Sequence, residues 1–307
     1  MSSAVLVTGC SSGFGDLIAR TLARDGHHVF ATMRDLHTRN AEPASALRAW
    51  ARECGARLDV LELDVTSDPS VQGAVDEMLR QAGRIDVVIN NAGVAASGPL
   101  EAFSLQQVEA LFGLNAFGPL RVSDAVLPTM RAQRMGLIVF VTSTLGRVLP
   151  LRGGLYASTK WALEGLAESL HYEVARFGID VAIVEPGSFP TPATSKAIRA
   201  ERADIVAAYT HSAPQPHRVA DPARKLPDPQ EVADAIKLLV DLPPGQRSLR
   251  TVAGPVFTEG VAEYNTEYER TRDHLAAVLQ RPDQAITWRP AQAAGERVIP
   301  VPGGTPS

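Results

Sequence analysis

Val5-Leu6-Val7-Thr8-Gly9-Cys10-Ser11-Ser12-Gly13-Phe14-Gly15 is a short apolar run that breaks into a glycine-rich turn. Leu17, Ile18, Leu22 and Ala23 follow at helical spacing. The stretch reads as a buried strand, a turn and an amphipathic helix. Glycines at 9, 13 and 15 let the backbone come close to a ligand, and the start of the helix offers unpaired N–H groups and a positive dipole end to a phosphate. The spacing, G-x3-G-x-G, is a variant of the dinucleotide-binding fingerprint. Two other readings fit the same residues. Gly9 to Gly13 is also G-x-S-x-G, with Ser11 where a serine hydrolase carries its nucleophile, and a tight turn without a ligand would use the same glycines.

Outward from this turn, strand-like and helix-like segments alternate. Strands are expected at 28–33, 57–63, 85–89, 137–141 and 179–184, with a last one at 248–252. Helices are expected at 44–53, 71–81, 155–176 and 229–242. A long helical segment, 105–130, carries Asn115 and Gly118 inside it, both poor helix formers, which predicts a kink or an asparagine held by partners. This alternation argues for an α/β fold: a doubly wound parallel sheet of about seven strands in a single Rossmann-type domain, with helices on both faces. Ligands in such sheets bind beyond the C-terminal strand ends. The turn, Arg34, Asp64, Asn90-Asn91-Ala92-Gly93 and Glu185-Pro186-Gly187 all fall at such ends.

Tyr156-Ala157-Ser158-Thr159-Lys160 opens one of these helices. Residues four apart share a helix face, so the phenol and the ammonium can point into one space. A nearby positive charge favours the phenolate and is expected to lower the tyrosine pKa from about 10, making it a proton donor and acceptor near neutral pH. The same spacing also occurs on solvated helices with no function.

The bulk composition is that of an ordinary globular protein: 307 residues, 45% hydrophobic, 21% charged, with a net charge of −4. Without a basic run, a nucleic-acid or anionic-membrane partner has no electrostatic support. Two cysteines without a CxxC suggest neither a disulfide framework nor a zinc site. The seven histidines show no ligand spacing, so no catalytic metal is expected. No apolar run approaches the ~18 residues of a membrane helix, and a cytoplasmic, soluble protein is expected. Segment 189–228, rich in Pro, Ala and charge, reads as a substrate lid or as an insertion without function, and the Pro- and Gly-rich stretch after 282 as a tail. The domain is expected to span 1–255, with a C-terminal extension and tail over 256–307.

Taken together, Thr8-Gly9-x3-Gly13-x-Gly15, Asp64-Val65, Asn90-Asn91-Ala92-Gly93, Asn115, Ser143, Tyr156-x3-Lys160 and Pro186-Gly187 with Thr191 resemble the short-chain dehydrogenase/reductase family in its compact single-domain branch. Ser143 precedes Tyr156 by thirteen residues, the family's spacing. The resemblance covers roughly residues 3–255. It implies hydride transfer between a nicotinamide and a ketone or secondary alcohol. Tyr156 would be the general acid/base, Lys160 its electrostatic partner, Ser143 the holder of the substrate oxygen, and Asn115 the holder of a water in proton supply.

The resemblance also implies cofactor contacts. Gly9, Ser11, Ser12, Gly13, Phe14 and Gly15 would line the pyrophosphate, and Arg34 the 2′-phosphate. Asp64 and Val65 would meet the adenine, and Asn91, Ala92 and Gly93 the adenine ribose. Pro186, Gly187, Phe189 and Thr191 would lie by the nicotinamide. At the end of the second strand Met33-Arg34 stands where an acid would bind a ribose 2′-hydroxyl, which favours NADP(H) over NAD(H), although Asp35 keeps the latter open. Ser11-Ser12 replaces the basic residue that many NADP-using members carry, which leaves that preference on Arg34. Apolar residues Val94, Leu145, Leu149, Leu151 and Phe189 suggest a hydrophobic substrate or simply core positions. A homodimer or homotetramer is expected from apolar surface on 105–130 and 155–177. A dinucleotide-binding regulator without catalysis is the alternative.

Overall fold

The computed structural model describes residues 2–149, 153–191, 196–210, 227–255 and 258–279. The opening stretch forms β1 (Ala4–Val7) and α1 (Phe14–Arg24). The chain continues through β2 (His28–Met33), α2 (Ala41–Cys54), β3 (Leu58–Glu62), α3 (Asp68–Ala82) and β4 (Val87–Asn90). A two-residue strand, β5 (Ala96–Ser97), precedes α4 (Leu105–Phe112) and α5 (Gly118–Gln133). Then come β6 (Gly136–Val141), α6 (Gly154–Val174), β7 (Ile179–Pro186), β8 (Ile198–Arg199), α7 (Ala203–Thr210), α8 (Gln230–Asp241), β9 (Arg250–Ala253) and α9 (Glu259–Val278).

Seven strands make one sheet in the order β3-β2-β1-β4-β6-β7-β9, and every neighbouring pair is parallel. The chain starts at the centre, winds to one edge and returns to build the other half from β4. The order reverses between β1 and β4, where such sheets open a crevice at their C-terminal strand ends. The period-two alternation of strand side chains divides β1 between two cores. Val5 and Val7 pack with Ile18, Leu22, Leu47 and Ile236 of α1, α2 and α8. Ala4 and Leu6 lie in the layer of Met78, Val126, Met130 and Leu163 from α3, α5 and α6. Burial on both faces explains why the central strands are apolar throughout.

The expected long helix is broken. Between α4 and α5, residues Gly113–Phe117 form a π-type turn with Asn115 in its middle. The extra residue in the ladder rotates Asn115 relative to a regular helix. Three features were not read from the sequence: the pairing of β5 with β8, the length of α9, and its docking through Val261 and Ala276, both buried. Of the expected lid, 192–195 and 211–226 lie outside the described residues, as does the tail after 280. No helix among the described residues is long and apolar enough to cross a membrane.

Candidate active site

The glycine turn is built from backbone. Gly9 and Gly13 have φ of 75° and 62°, a region that side chains avoid. Gly13 precedes α1 with no side-chain cap, so among the described residues the first amides of the helix have no side-chain acceptor. A Cβ on Gly15 would overlap the Gly9 carbonyl and come within 2.6 Å of Asn91 Nδ2, so the start of the helix sits directly on the turn. A Cβ on Gly9 would lie 2.8 Å from Ala92 Cα.

Several of the expected cofactor contacts also brace the fold. Asn91 Nδ2 donates to the Thr8 and Gly9 carbonyls at 2.8 and 3.3 Å, so its side chain braces the turn. Thr8 Oγ1 accepts from the amides of Asn91 and Ala92, both at 3.0 Å. Val65 is buried against Gly118, so its side chain packs in the core. Asp64 Oδ1 accepts from Thr66 N and Oγ1, a local turn. Phe189 stacks edge-on against Phe14, with centroids 5.5 Å apart, and covers Gly254. Gly187, just after Pro186, donates its amide to Ala253, and Thr191 N donates to Phe189 O. Leu149, one of the apolar loop residues, is exposed, and Leu151 lies outside the described residues.

Arg34 is exposed at the end of β2, 3.9 Å from Asp64 and 3.7 Å from Asp35. Both Glu62 oxygens are occupied by the amides of Asp35 and Leu36, at 2.7 and 2.9 Å. A second cation, not expected from the sequence, reaches the turn: Lys196 Nζ donates to Ser12 Oγ at 2.8 Å. A lysine 184 positions away in a Pro- and Ala-rich segment carries no local signal of that placement.

The four residues expected to react, Asn115, Ser143, Tyr156 and Lys160, come from three segments. Asn115 is fully buried. Its side chain pairs both ways with the Val94 backbone, Nδ2 to O and N to Oδ1 each at 2.9 Å, and Nδ2 also donates to Thr159 Oγ1 at 3.1 Å. Lys160 Nζ donates to Val141 O at 2.9 Å and lies 5.9 Å from the Tyr156 ring centre. Ser143 follows β6, accepts from Leu145 N at 3.1 Å and shares a hydrogen bond with the Tyr156 phenol. A Cβ on Gly93 would lie 3.2 Å from Asn115 Oδ1 and 3.6 Å from Lys160 Nζ. Ser143, Tyr156, Lys160 and Asn115 thus gather around one space, beside Gly93.

The electrostatics differ from the sequence expectation. Burial pushes the Tyr156 phenol up to about 12, and the Ser143 hydrogen bond offsets this only in part. Burial also pulls Lys160 down to about 8, against the attraction of Glu164. The ammonium faces a carbonyl, and desolvation outweighs its pull on the phenol. Tyr156 keeps some exposure while Lys160 is enclosed.

Asp25, His27 and Asp241 cluster far from this cleft, near the N-terminal strand ends. Lys237 Nζ already bridges Asp25 and Asp241 at 3.1 and 2.6 Å. His27 Nδ1 accepts from Ser3 N, so the neutral ring carries its proton on Nε2 and offers no lone pair to a cation there.

The profile of the short chain dehydrogenase family matches residues 3–202. The chain belongs to that family. Retinol dehydrogenase 8 of Bos taurus is 42% identical over 190 residues, which cover 61% of this chain and 59% of the relative. The 17-beta-hydroxysteroid dehydrogenase type 1 of Mus musculus is 33% identical over 308 residues, 96% of this chain and 86% of the relative. The matches to the retinol dehydrogenases span about three-fifths of those proteins. A short-chain dehydrogenase from Streptomyces avermitilis superposes with a TM-score of 0.71 at 30% identity, covering 92% of this chain and 98% of that one. Family membership removes the support for a serine-hydrolase reading of Ser11.

Proposed function

We propose that this short-chain dehydrogenase is an NADP(H)-preferring oxidoreductase interconverting a ketone and a secondary alcohol on a hydrophobic skeleton. The observation that carries the reading is the convergence of Ser143, Tyr156, Lys160 and Asn115 on one space at the strand ends, next to a glycine turn suited to a pyrophosphate. The uncapped amides of α1, the close backbone packing at Gly9 and Gly15, and the cations Arg34 and Lys196 fit a dinucleotide carrying an extra phosphate. Glu62, with both oxygens engaged, is not free for a ribose hydroxyl.

When bound, the cofactor supplies or takes up a hydride. The chain's own residues handle the oxygen and its proton. Ser143 donates a hydrogen bond to the substrate oxygen, and Tyr156 gives its proton to that oxygen in reduction or takes one in oxidation. A phenol held near 12 stays protonated across the neutral range, which suits the reductive direction. Lys160 supplies positive charge beside the phenolate left behind, and Asn115 fixes the backbone at Val94 that frames the pocket.

Solved relatives include an alcohol dehydrogenase from Thermococcus sibiricus with 5-hydroxy-NADP and the actinorhodin polyketide ketoreductase with NADPH, at 26% and 27% identity. Together with the retinol and 17-beta-hydroxysteroid dehydrogenases they support the cofactor and an apolar substrate. Exposed Leu105, Phe117 and Trp161 on α4, the π turn and α6 support self-association. Residues 1–255 would be the catalytic unit with 189–228 as lid, and 256–307 an extension whose helix closes the far edge. The test is Tyr156→Phe. Turnover on a hydrophobic ketone should fall at least about a hundredfold, while NADPH titrates as in the wild type. Near-normal turnover by the variant would end the reading.

A further inference from the structure

Behind Ser143 and Lys160 lies a box of buried charge that the family motifs do not account for. Glu164 stands one helical turn beyond Lys160 on the buried face of α6. Its Oε1 accepts from Thr142 Oγ1 at 2.7 Å, from the residue just before Ser143. On the other side of Ser143, a Cβ at Gly146 would lie 3.1 Å from Glu164 Cγ, so the turn carrying the serine closes on this side chain. Glu164 Oε2 accepts from Arg250 Nε of β9 at 3.0 Å.

The box continues outward. Arg250 Nη2 donates to Glu168 at 2.6 Å, and Glu168 also accepts from Tyr172 and Tyr268 at 2.6 and 3.0 Å. Arg147 lies between the rings of Tyr264 and Tyr268 and donates to Asn265 Oδ1 at 2.8 Å. Asn265 Nδ2 donates to Glu185 at 2.6 Å. Three of these side chains, Tyr264, Asn265 and Tyr268, belong to α9, beyond the part of the chain the family profile covers.

Such a box is a costly way to close a sheet edge. Buried ion pairs are often no more stabilising than well-packed apolar residues. Here Arg147 Nη2, Arg250 Nη1 and Glu185 Oε1 have no hydrogen-bond partner among the described residues. The charges also balance in a telling way. Burial raises both Glu164 and Glu185, but Glu164 accepts two hydrogen bonds, whereas Glu185 accepts one, from Asn265, its Oε1 lying 3.8 Å from Arg147 Nε and 3.7 Å from Arg250 Nε without a hydrogen bond among the described residues. With the shared proton on Glu185, the charges of Arg147 and Arg250 match those of Glu164 and Glu168. Arg272 and a His171 held neutral by burial border the Glu168 side. Glu164 is then the carboxylate that acts on Lys160, and its attraction opposes the desolvation of that ammonium.

We propose that Glu164 is a positioning residue of the reaction centre: its carboxylate, stabilised by Arg250 and Thr142 within the box that α9 closes, holds the Ser143 turn in place and keeps Lys160 charged. This rests on the reading of Tyr156 and Lys160 as the reacting pair.

The experiment compares Glu164→Gln and Glu164→Asp with Tyr156→Phe in the full chain, following kcat, KM, NADPH affinity by fluorescence, and the pH profile of kcat/KM for reduction. The groups that bear on the profile are Lys160, Glu168, Glu185, Arg147, Arg250 and Tyr268. Removing the negative charge lowers the pH at which Lys160 loses its proton. Glu164→Gln should therefore move the alkaline limb of kcat/KM down by about one pH unit. It should also reduce kcat about tenfold or more through misplacement of Ser143, with NADPH affinity within about threefold of wild type. Glu164→Asp should bring the limb back while leaving kcat reduced. A Glu164→Gln protein with wild-type kcat and profile overturns the proposal. Tyr156→Phe reports separately on the underlying reading, since only that variant's continued turnover would refute it. If neither Glu164 variant folds, Thr142→Val decides: the limb should shift in the same direction with kcat lowered, and an unchanged limb overturns the proposal.

Discussion

The two halves of the sheet meet at the β1–β4 crevice and prepare it by opposite means. On the β1-β2-β3 side the wall is almost all backbone. Gly9, Gly13 and Gly15 bring main-chain amides to the surface, and the side chains nearby, Asn91 and Thr8, brace the turn. On the β6-β7-β9 side the wall rests on buried polar and charged side chains from four elements, Glu164 and Glu168 of α6, Glu185 of β7, Arg250 of β9 and Asn265 of α9, with Arg147 donating to Asn265. A half that receives a charged ligand needs only oriented dipoles and space. A half that must keep a lysine charged out of water has to bring its own counter-charge, fixed in position.

The backbone side is the more sensitive to a single substitution. Gly15→Ala places a methyl on the Gly9 carbonyl, where main chain must move. Overpacking costs about 1–3 kcal/mol in general, and here the displaced atoms form the phosphate turn. NADPH affinity should fall more than about tenfold, with a lower melting temperature by circular dichroism. A variant that binds like the wild type would show that this turn is not the cofactor's wall.

The next effect sharpens the charge on that same side. Arg34→Ala should weaken NADPH by about tenfold, the size of a lost charge-assisted hydrogen bond, and leave NADH within about threefold. Lys196→Ala should give a smaller loss of the same kind. Equal weakening of both cofactors would mean that these cations do not read the 2′-phosphate.

The smallest effect falls on the charged side. Glu185 is held up at about 8, so the folded chain keeps a proton that the unfolded chain releases near the ordinary carboxyl value. The folded state binds more protons between those limits, and stability falls as pH rises from about 4.5 to about 8. Glu185→Gln, neutral at every pH, should flatten that fall in melting temperature. An unaltered slope would place the buried proton elsewhere in the box.

Some of this was legible in the chain and some was not. The strand–turn–helix at 5–24 was, because an apolar run, glycine spacing and a 3.6-residue period are local signals. The face shared by Tyr156 and Lys160 was legible for the same reason. Asn115 was legible only as a disturbance. Two poor helix formers announce a break, but the π turn depends on a pairing with Val94, 21 residues earlier. For Asn91 and Val65 the position at a strand end is visible in sequence, whereas the direction of the side chain there is set by what packs across the turn. Glu164 and Arg250 look like surface charge in sequence, and each is enclosed only because a partner 86 residues away meets it.

The layering of the sheet, the position of the glycine turn and the spacing of Ser143, Tyr156 and Lys160 could be read from the chain, since all follow from periodicity and from the conformations single residues tolerate. The tertiary structure alone decided which charges are buried, which side chains brace and which face the cleft, and that α9 completes the wall behind Lys160. Burial and pairing are properties of groups brought together across the chain, and the free energy of a charge depends on its surroundings rather than on its neighbours in sequence.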